Sequence, residues 1–322
     1  MLKELDKIDK RILFELDRNA RIPDTRLAKL VGRSKESVRY RIKKLQEEGI
    51  IKGFTTWIDP CRLGFLPGKI YLQLANRPEQ KKAFVEHVKK DKRLFWLGIA
   101  EGAWNAGLTY FVRSNSELFE LKNALFSKFK DLILESKIGV LVNVAAHDKT
   151  FFFETQTEWK NMFYSIEHYD LEPIEKQILK ELFLNSRESV VEIARKHSST
   201  VDIVRNRMRK LEERGIIFRY LAKIDYNKLG YEFYKTFLYT KNLTLEDERR
   251  FLEYTRQQPE IIHFVKLISP WDIELEIMCE SYQDYNSIIS GLTEEFSEVI
   301  SKVETAIMGE DYVFPAKEMV FE

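Results

Sequence analysis

Two short stretches of this chain place basic side chains and a polar cap in a spacing that suits contact with a polyanion. Guanidinium and ammonium groups neutralise phosphates, and Arg and Asn side chains pair with the edges of guanine and adenine. We therefore expect double-stranded DNA as a partner. The candidate contact residues are Ser34, Lys35, Arg39, Tyr40, Arg41, Lys43 and Lys44 in the first stretch, and Thr200, Arg205, Asn206, Arg207, Arg209 and Lys210 in the second.

The two stretches differ at one of the positions that would meet the bases. Asn206 takes the place of Tyr40, and Arg favours guanine whereas Asn favours adenine, so we expect different half-sites and an asymmetric operator. The candidates for base edges are Arg39, Tyr40, Lys43, Arg205, Asn206 and Arg209. The candidates for phosphates are Lys35, Arg41, Lys44, Arg207 and Lys210.

The net charge of +1 hides an uneven distribution along the 322 residues. Residues 1–53 hold 15 Lys/Arg and nine Asp/Glu, a net charge of +6, and residues 171–223 hold 12 and eight, a net charge of +4. The remainder of the chain is acidic. Two basic blocks on an acidic background indicate two polyanion-binding modules, although lysines clustered on solvated helices would give the same counts.

An internal repeat organises the chain. A shift of 166 residues aligns the sequence with itself from about residue 10 to residue 65, so that Arg39 matches Arg205 and Gly49 matches Gly215. Further along, the shift becomes 167, at which Trp104 matches Trp271. The chain therefore contains two copies of one unit.

Each copy begins with a segment that predicts three helices and a strand. In the first copy, apolar spacing predicts helices over 6–18 and 24–32, a third helix over 34–48 that ends at Gly49, and a strand over 50–58. This strand is interpreted as the first strand of a wing hairpin. The order is that of a winged helix-turn-helix, in which the third helix can enter the major groove. The inward stripe of the third helix is Val38, Ile42 and Leu45.

The second part of each copy predicts the order β-α-β-β-α-β, which is the ferredoxin-like topology. Such a sheet has helices on one face, so its other face must be covered, and the second copy can supply the cover. The predicted elements are 69–74, 78–91, 94–101, 105–112, 116–130 and 138–144 in the first copy, and 232–240, 245–257, 261–267, 272–279, 282–296 and 299–306 in the second.

The stretch LDKIDKRILFELDRNARI, followed by LAKLVGRSKESVRYRIKKLQEEGIIKGFTTWIDPCRLG, resembles the winged helix-turn-helix of the Lrp/AsnC family of feast/famine regulators. The resemblance implies an α+β fold, a tandem repeat of a winged helix-turn-helix and a ferredoxin-like βαββαβ (RAM-like) domain. It also implies transcription regulation, an intrachain pseudo-dimer, further homo-oligomers and a small-molecule effector such as an amino acid. The predicted domains are 1–64 and 171–230 (winged helix-turn-helix), 65–150 and 231–322 (ferredoxin-like), with 151–170 as an aromatic junction that packs as helix or strand.

The turns between the second and third sheet strands depart from the pattern of that family. The family's turn resembles Gly-x-x-Asp and helps to form the effector site, whereas this chain has Gly102-Ala103-Trp104-Asn105 and Ser269-Pro270-Trp271-Asp272. Each copy keeps one of the two signature residues. A Trp in both turns lines a changed pocket or packs at an interface. The effector-site candidates are Gly102, Trp104, Asn105, Trp271 and Asp272.

Two other functions remain open. Siroheme decarboxylases resemble the same family and also have two related halves, but their His-Asn-Tyr-type signature is not met at His263-Phe264-Val265. His263 is therefore interpreted as a structural or surface histidine. The other alternative is a co-regulator that keeps the fold and binds protein instead of DNA.

Several classes of chemistry lack their residues in this sequence. Cys61 and Cys279 lie far apart, which favours a reducing, cytoplasmic location. The five histidines show no metal-ligand spacing, and no glycine-rich phosphate loop or nucleophile elbow is present. No run reaches the roughly 18 apolar residues of a membrane span. We expect no catalysis, no cofactor, no metal and no membrane partner.

Overall fold

The structure is a computed structural model that describes residues 5–155, 158–163 and 166–314. The helices are α1 (Lys7–Arg18), α2 (Asp24–Val31), α3 (Lys35–Glu47), α4 (Pro78–Val88), α5 (Asn115–Phe129), α6 (Pro173–Leu184), α7 (Val190–Lys196), α8 (Val201–Glu213), α9 (Leu245–Arg256) and α10 (Tyr282–Glu295). The strands are β1 (Ile51–Ile58), β2 (Leu66–Leu74), β3 (Leu94–Gly102), β4 (Ala106–Val112), β5 (Ile133–His147), β6 (Trp159–Met162), β7 (Ile217–Ile224), β8 (Glu232–Thr240), β9 (Ile261–Ile268), β10 (Ile273–Cys279) and β11 (Ile300–Val313).

Side-chain caps fix the starts of α1, α3 and α8 in the three-helix segments. The Asp6 carboxylate accepts hydrogen bonds from two backbone N–H groups of the first turn of α1, at 2.9 and 2.8 Å. Ser34 and Thr200 cap α3 and α8 in the same way, at 3.1 and 3.2 Å. Gly32 ends α2 with a φ of 64°, a conformation that glycine adopts without strain. The three helices predicted for each copy are confirmed.

The chain forms two compact units, and the first gathers the helix-turn-helix segments of both copies. It consists of the described parts of Met1–Asp59, His147–Trp159 and Asp170–Glu232. Within it β1 pairs antiparallel with β7, so that Thr55 lies opposite Leu221. The two copies are therefore joined by a two-stranded ribbon.

This ribbon corrects the wing hairpin predicted over 50–58. In the described part of the chain, β1 pairs with β7 of the other copy and not with a strand of its own copy. A lone eight-residue strand would leave backbone N–H and C=O groups unpaired, and the equivalent strand satisfies one edge. The hydroxyls of Thr55 and Thr56 also donate to the carbonyls of Phe183 and Leu182 at the end of α6, at 2.8 Å each.

The second unit gathers the sheets of both copies into one closed barrel. It consists of the described parts of Pro60–Ala146, Lys160–Tyr169 and Phe233–Glu322. Its strand order runs β2-β4-β3-β11-β8-β10-β9-β5, and β5 also pairs with β2, which closes the ring. The orders β5-β2-β4-β3 and β11-β8-β10-β9 within the ring confirm the ferredoxin-like topology of each copy. The second copy covers the first by continuing its sheet at both edges.

Two strands are longer than predicted because they serve both sheets. The predicted strands 138–144 and 299–306 correspond to β5, with 15 residues, and β11, with 14. The first part of β11 pairs with β8 of its own copy, and the part from Ala306 onward pairs with β3 of the other copy. β5 is divided between β2 and β9 in the same manner.

The alternation of side chains along β2 separates two environments. Ile70 and Leu72 join a buried core with Phe84 of α4 and Leu121 of α5, on the outer side of the barrel wall. Lys69 and Tyr71 point to the opposite side, which is the barrel interior, because successive side chains of a strand alternate between its faces. Both are buried. The interior therefore contains charged groups.

The aromatic junction predicted over 151–170 is partly described. Its residues 159–162 form β6. Within the first unit, the rings of Phe151 and Tyr231 lie 4.8 Å apart, and those of Phe152 and Tyr226 lie 6.1 Å apart. A strand is therefore found for 159–162, while Phe151 and Phe152 pack without forming a helix or strand, and residues 156–157 and 164–165 lie outside the described residues.

Candidate functional site

The outward face of α3 is an exposed, polar and basic surface. The side chains of Arg39 and Tyr40 are 61% and 67% exposed, and Lys43 and Lys44 are also exposed. Lys35, on the first turn, is half-buried. The opposite face of the helix is fixed in the core by the buried residues Val38, Ile42 and Leu45. The helix therefore presents cations to solvent from a rigid base.

The outward face of α8 repeats this arrangement in the second copy. Arg205 and Arg209 are 62% and 70% exposed, and Asn206 lies exposed between them. Their ion pairs are local, Arg205 with Asp202 at 2.7 Å and Arg209 with Glu213 at 3.8 Å. The inward stripe is Val204, Met208 and Leu211. Arg209 of α8 is the counterpart of Lys43 of α3.

Two of the predicted phosphate contacts are tied to the first helix of their own copy. Arg41 donates to Asp6 and Asp9 at 2.7 and 2.8 Å, and these bonds raise its pKa. Its counterpart Arg207 donates to Glu172, and to Glu175 at 3.4 Å. This geometry favours a bracing role between helices for both arginines. Lys210 lies 4.0 Å from Glu172 as well.

Asp24 connects the two copies at α3. Its Oδ2 accepts from Arg39 Nε at 2.7 Å, and its Oδ1 accepts from Arg187 Nη2 at 2.6 Å. Burial would raise the pKa of Asp24, but the hydrogen bonds from Arg39 and Arg187 outweigh burial and lower it. Arg187 of the second copy thus fixes the Asp24 carboxylate, which in turn binds Arg39 on the recognition helix of the first copy.

The barrel interior contains a buried ionic cluster that sequence reasoning missed. The Glu274 carboxylate accepts from Lys69 Nζ at 3.0 and 3.1 Å, from Lys235 Nζ at 2.7 Å and from the Tyr71 hydroxyl at 2.5 Å. Lys235 also donates to Glu276 at 2.5 Å. The available signal was one lysine in the apolar strand KIYLQL and two glutamates in the apolar strand IELEIMC.

The cluster extends to His263 and to Asp311. His263 Nδ1 lies 2.5 Å from Glu276 Oε2, and the Trp96 indole donates to Asp311. Burial would raise the pKa of Glu276, but Lys235 and His263 outweigh it and hold this pKa well below its usual range. Burial raises the pKa of Asp311.

The acids of the cluster all come from the second copy. At the 167-residue shift, Glu274, Glu276 and Asp311 correspond to Gly107, Thr109 and Val144. His263 corresponds in the same way to Trp96. A Cβ on Gly107 would lie 2.7 Å from the Trp96 ring. The Trp96 ring therefore occupies the space that a side chain equivalent to Glu274 would need in the first copy.

The predicted effector-site residues are brought together in two equivalent turns. Asn105 Oδ1 accepts from the Leu74 N–H at 2.8 Å, and Asp272 Oδ2 accepts from the Thr240 N–H at 3.2 Å and its hydroxyl at 2.6 Å. Both side chains thus cap the end of the neighbouring strand. Gly102 has a φ of 119°, and a Cβ there would lie 2.4 Å from a backbone oxygen.

Trp104 and Trp271 pack inside the barrel. They are 2% and 1% exposed, and the ring of Tyr71 lies 5.4 and 5.0 Å from theirs. Among the described residues, neither indole Nε1 has a hydrogen-bond partner. A buried donor without an acceptor costs about 1–3 kcal/mol, so these two donors favour a polar acceptor beside them.

No group of three or more His, Cys, Asp or Glu side chains in the described ranges is arranged to hold a metal ion. Among the described helices, none has both the length and the apolar composition that crossing a bilayer requires.

Comparison with known proteins matches the first segment to DNA-binding proteins. The family described as winged helix-turn-helix DNA-binding matches residues 5–52. The HTH-type transcriptional regulator AldR of Mycolicibacterium smegmatis is 39% identical over 89 residues, 27% of this chain and 52% of that protein. The HTH-type transcriptional regulator LrpA of Pyrococcus abyssi is 41% identical over 98 residues, 30% of this chain and 69% of that protein. The chain thus spans about half of the first relative and about two thirds of the second.

Comparison of structures gives matches over nearly the whole chain. The crystal structure of the siroheme decarboxylase NirDL matches with a TM-score of 0.65 at 15% identity, over 98% of this chain and 98% of that one. NirDL in complex with an iron-uroporphyrin III analogue matches with a TM-score of 0.64 at 15% identity, over 95% of this chain and 92% of that one. At this identity the likeness shows a shared two-copy fold.

Proposed function

This chain belongs to the Lrp/AsnC family, and from that premise we propose that it is a regulator of transcription that binds double-stranded DNA sequence-specifically. One chain acts as a pseudo-dimer and reads two half-sites, one with α3 and one with α8. The proposal includes no catalysis, and it places the protein in the cytoplasm. Association of whole chains into larger homo-oligomers is compatible with it.

The observation that carries the proposal is the equivalence of the two exposed helix faces. Arg39 and Arg205 occupy the same place on α3 and α8, and both are more than half exposed. Both helices belong to one compact unit that the β1–β7 ribbon joins, so their spacing is set within one chain. A helix with this face can enter the major groove and place Arg on base edges, while flanking lysines meet phosphates.

A small-molecule effector, such as an amino acid, is part of the proposal. Trp104 and Trp271 support it, because their buried indole N–H groups would gain an acceptor from a bound ligand. Both residues lie in the turns that correspond in position to the effector-site turn of the family, of which each keeps one signature residue. Quenching or enhancement of tryptophan emission on titration with the amino acids tests this part.

The second candidate is a tetrapyrrole enzyme, and the comparison of whole structures favours it. Two structures of the siroheme decarboxylase NirDL match over 95% and 98% of this chain, whereas the sequence matches to the regulators AldR and LrpA cover 27% and 30% of it. Lys69 and Lys235 inside the barrel could pair with tetrapyrrole carboxylates. Both, however, already bind Glu274, and Trp96 stands where the second copy has His263.

Sequence selection separates the two candidates. The full chain is incubated with random duplex DNA, and bound molecules are recovered and sequenced over several rounds. The proposal predicts an enriched two-part motif whose halves lie about one helical turn apart, or a multiple of that. A pool without enrichment, together with visible absorption that elutes with the protein after an added iron-uroporphyrin is separated by gel filtration, would favour the enzyme.

A further inference from the structure

The two recognition helices hold their equivalent arginines in different ways. Arg39 is bound through Nε to Asp24 at 2.7 Å, and Asp24 is bound in turn to Arg187 of the second copy. At the 166-residue shift the counterpart of Asp24 is Val190, so α8 has no such acid. Arg205 instead donates through Nη1 to Asp202 of its own helix, at 2.7 Å.

The difference lies in which edge of each guanidinium is occupied. With Nε on Asp24, the two Nη groups of Arg39 remain together at the exposed end of the side chain, and among the described residues Asp24 is its hydrogen-bond partner. Arg205 instead has one of its Nη groups, Nη1, engaged with Asp202 of its own helix. A guanidinium that keeps both Nη groups can donate two parallel hydrogen bonds.

Guanine is the base whose major-groove edge matches such a fork, because it presents two adjacent acceptors, O6 and N7. We propose that Asp24 is a positioning residue that presents Arg39 end-on to a guanine in the half-site of the first copy, and that the half-site of the second copy lacks this guanine. The inference rests on the proposed function. It holds that α3 selects a guanine and that Asp24 orients the Arg39 side chain that contacts this base.

Arg187 makes the arrangement rigid. The Asp24 carboxylate is largely buried and has one oxygen on each arginine, so it cannot rotate away from Arg39 without losing Arg187. The Arg187 guanidinium lies 5.2 Å from the ring of Phe54, within the same unit. Preorganisation of this kind lowers the side-chain entropy lost when Arg39 meets a base.

The test is selection from random duplex DNA at one salt concentration with the wild-type chain and with Asp24→Val and Arg39→Lys. Complexes with one chain per duplex are isolated first, so that the motif reports the two halves of one chain. Asp24→Val introduces the residue type that the second copy has at the equivalent position, Val190. Arg39→Lys keeps the charge but removes the fork, and it leaves the Asp24–Arg187 pair in place, so it serves if Asp24→Val fails to fold.

We expect a guanine in one half-site of the wild-type motif and a fall in its enrichment of about tenfold to a hundredfold in both variants. The rest of the motif should be retained. Asp202→Ala is the matched control, since it acts on Arg205 and should leave this guanine unchanged. Asp24→Glu should restore part of the preference that Asp24→Val loses.

Other outcomes overturn the inference in distinguishable ways. A guanine selected equally by the wild type and by Asp24→Val contradicts the role of Asp24, and one selected equally by the wild type and by Arg39→Lys contradicts the role of Arg39. The same guanine in both half-sites contradicts the difference between the copies. Each of these outcomes leaves DNA binding intact. A wild-type chain that enriches no sequence contradicts the proposed function itself.

Discussion

Lys69 on β2 and Lys235 on β8 bind the same carboxylate, that of Glu274, at 3.0 and 2.7 Å. The two lysines are counterparts at the 166-residue shift, but the carboxylate belongs to the second copy alone. Buried charges are tolerated when they are paired and hydrogen-bonded. The charges balance only when the barrel combines the first copy with the second. A barrel built from two copies of the first half would bury lysines without carboxylates. A barrel built from two copies of the second half would bury an excess of carboxylates.

Replacement of Glu274 by Gln should destabilise the barrel strongly. The change leaves Lys69 without its carboxylate and Lys235 with Glu276 only, and breaking a buried pair costs about 3–5 kcal/mol. Urea unfolding followed by circular dichroism measures the loss. Glu135→Gln, at an exposed position of β5, is the matched control and should change the free energy of unfolding little.

The double variant Lys69→Met/Glu274→Gln, which removes one charge of each sign, separates the effect of an unpaired charge on stability from the effect of altered packing. It removes the unpaired ammonium and keeps Lys235 on Glu276, so it should recover part of the stability that Glu274→Gln loses. A double variant less stable than Glu274→Gln would show that packing, and not charge balance, dominates the barrel interior.

Acid should weaken the barrel through Glu304. Burial alone would raise the pKa of this carboxyl, but hydrogen bonds from Lys302, Tyr239 and Lys137 outweigh burial and hold it at about 2. Because the folded pKa lies below the ordinary value of 4.5, the contribution is full above about pH 4.5 and declines as the pH falls toward 2. Glu304→Gln should flatten the dependence of the unfolding free energy on pH in that window. A pH dependence equal to that of the wild type would show that Glu304 does not contribute to it.

Arg39→Ala should weaken DNA binding more than it weakens the fold. The side chain is more than half exposed, and a base read by two hydrogen bonds is worth about 1–3 kcal/mol. Fluorescence anisotropy with the selected duplex gives the change in Kd. An affinity equal to that of the wild type would remove Arg39 from the set of base contacts.

Arg41→Ala should have the opposite profile. Arg41 bridges Asp6 and Asp9 to α3, so its loss should lower the Tm of the first unit, with a smaller effect on Kd than Arg39→Ala. Calorimetry and anisotropy on the two variants side by side make the comparison. A Kd effect of Arg41→Ala larger than that of Arg39→Ala, with an unchanged Tm, would make Arg41 a phosphate contact.

The local elements could be predicted from the sequence because their signals are local. Ser34 and Thr200 mark helix starts, Gly32 marks a helix end, and the buried stripe of α3 follows from its spacing. The 166-residue repeat predicted two copies, and the β-α-β-β-α-β order predicted the sheet of each. These features depend on neighbours within a few residues, or on a pattern that occurs twice.

The contacts between the copies could not be predicted, because they join residues far apart in the chain. The β1–β7 ribbon and the shared ends of β5 and β11 depend on which strand edges are left open after each copy has folded. Lys69 and Glu274 are 205 residues apart. The sequence pattern around each residue predicted a strand, but no local signal identified Lys69 and Glu274 as partners.

The salt dependence of duplex DNA binding tests the central claim most directly. Anisotropy titrations of one duplex are made from low to physiological salt with the wild-type chain and with Arg39→Ala/Arg205→Ala. If both helices bind DNA, the logarithm of the affinity falls linearly and steeply with the logarithm of the salt concentration, and the double variant binds at least about tenfold more weakly. Weak binding that does not change with salt and is equal in both proteins would contradict a DNA-reading regulator.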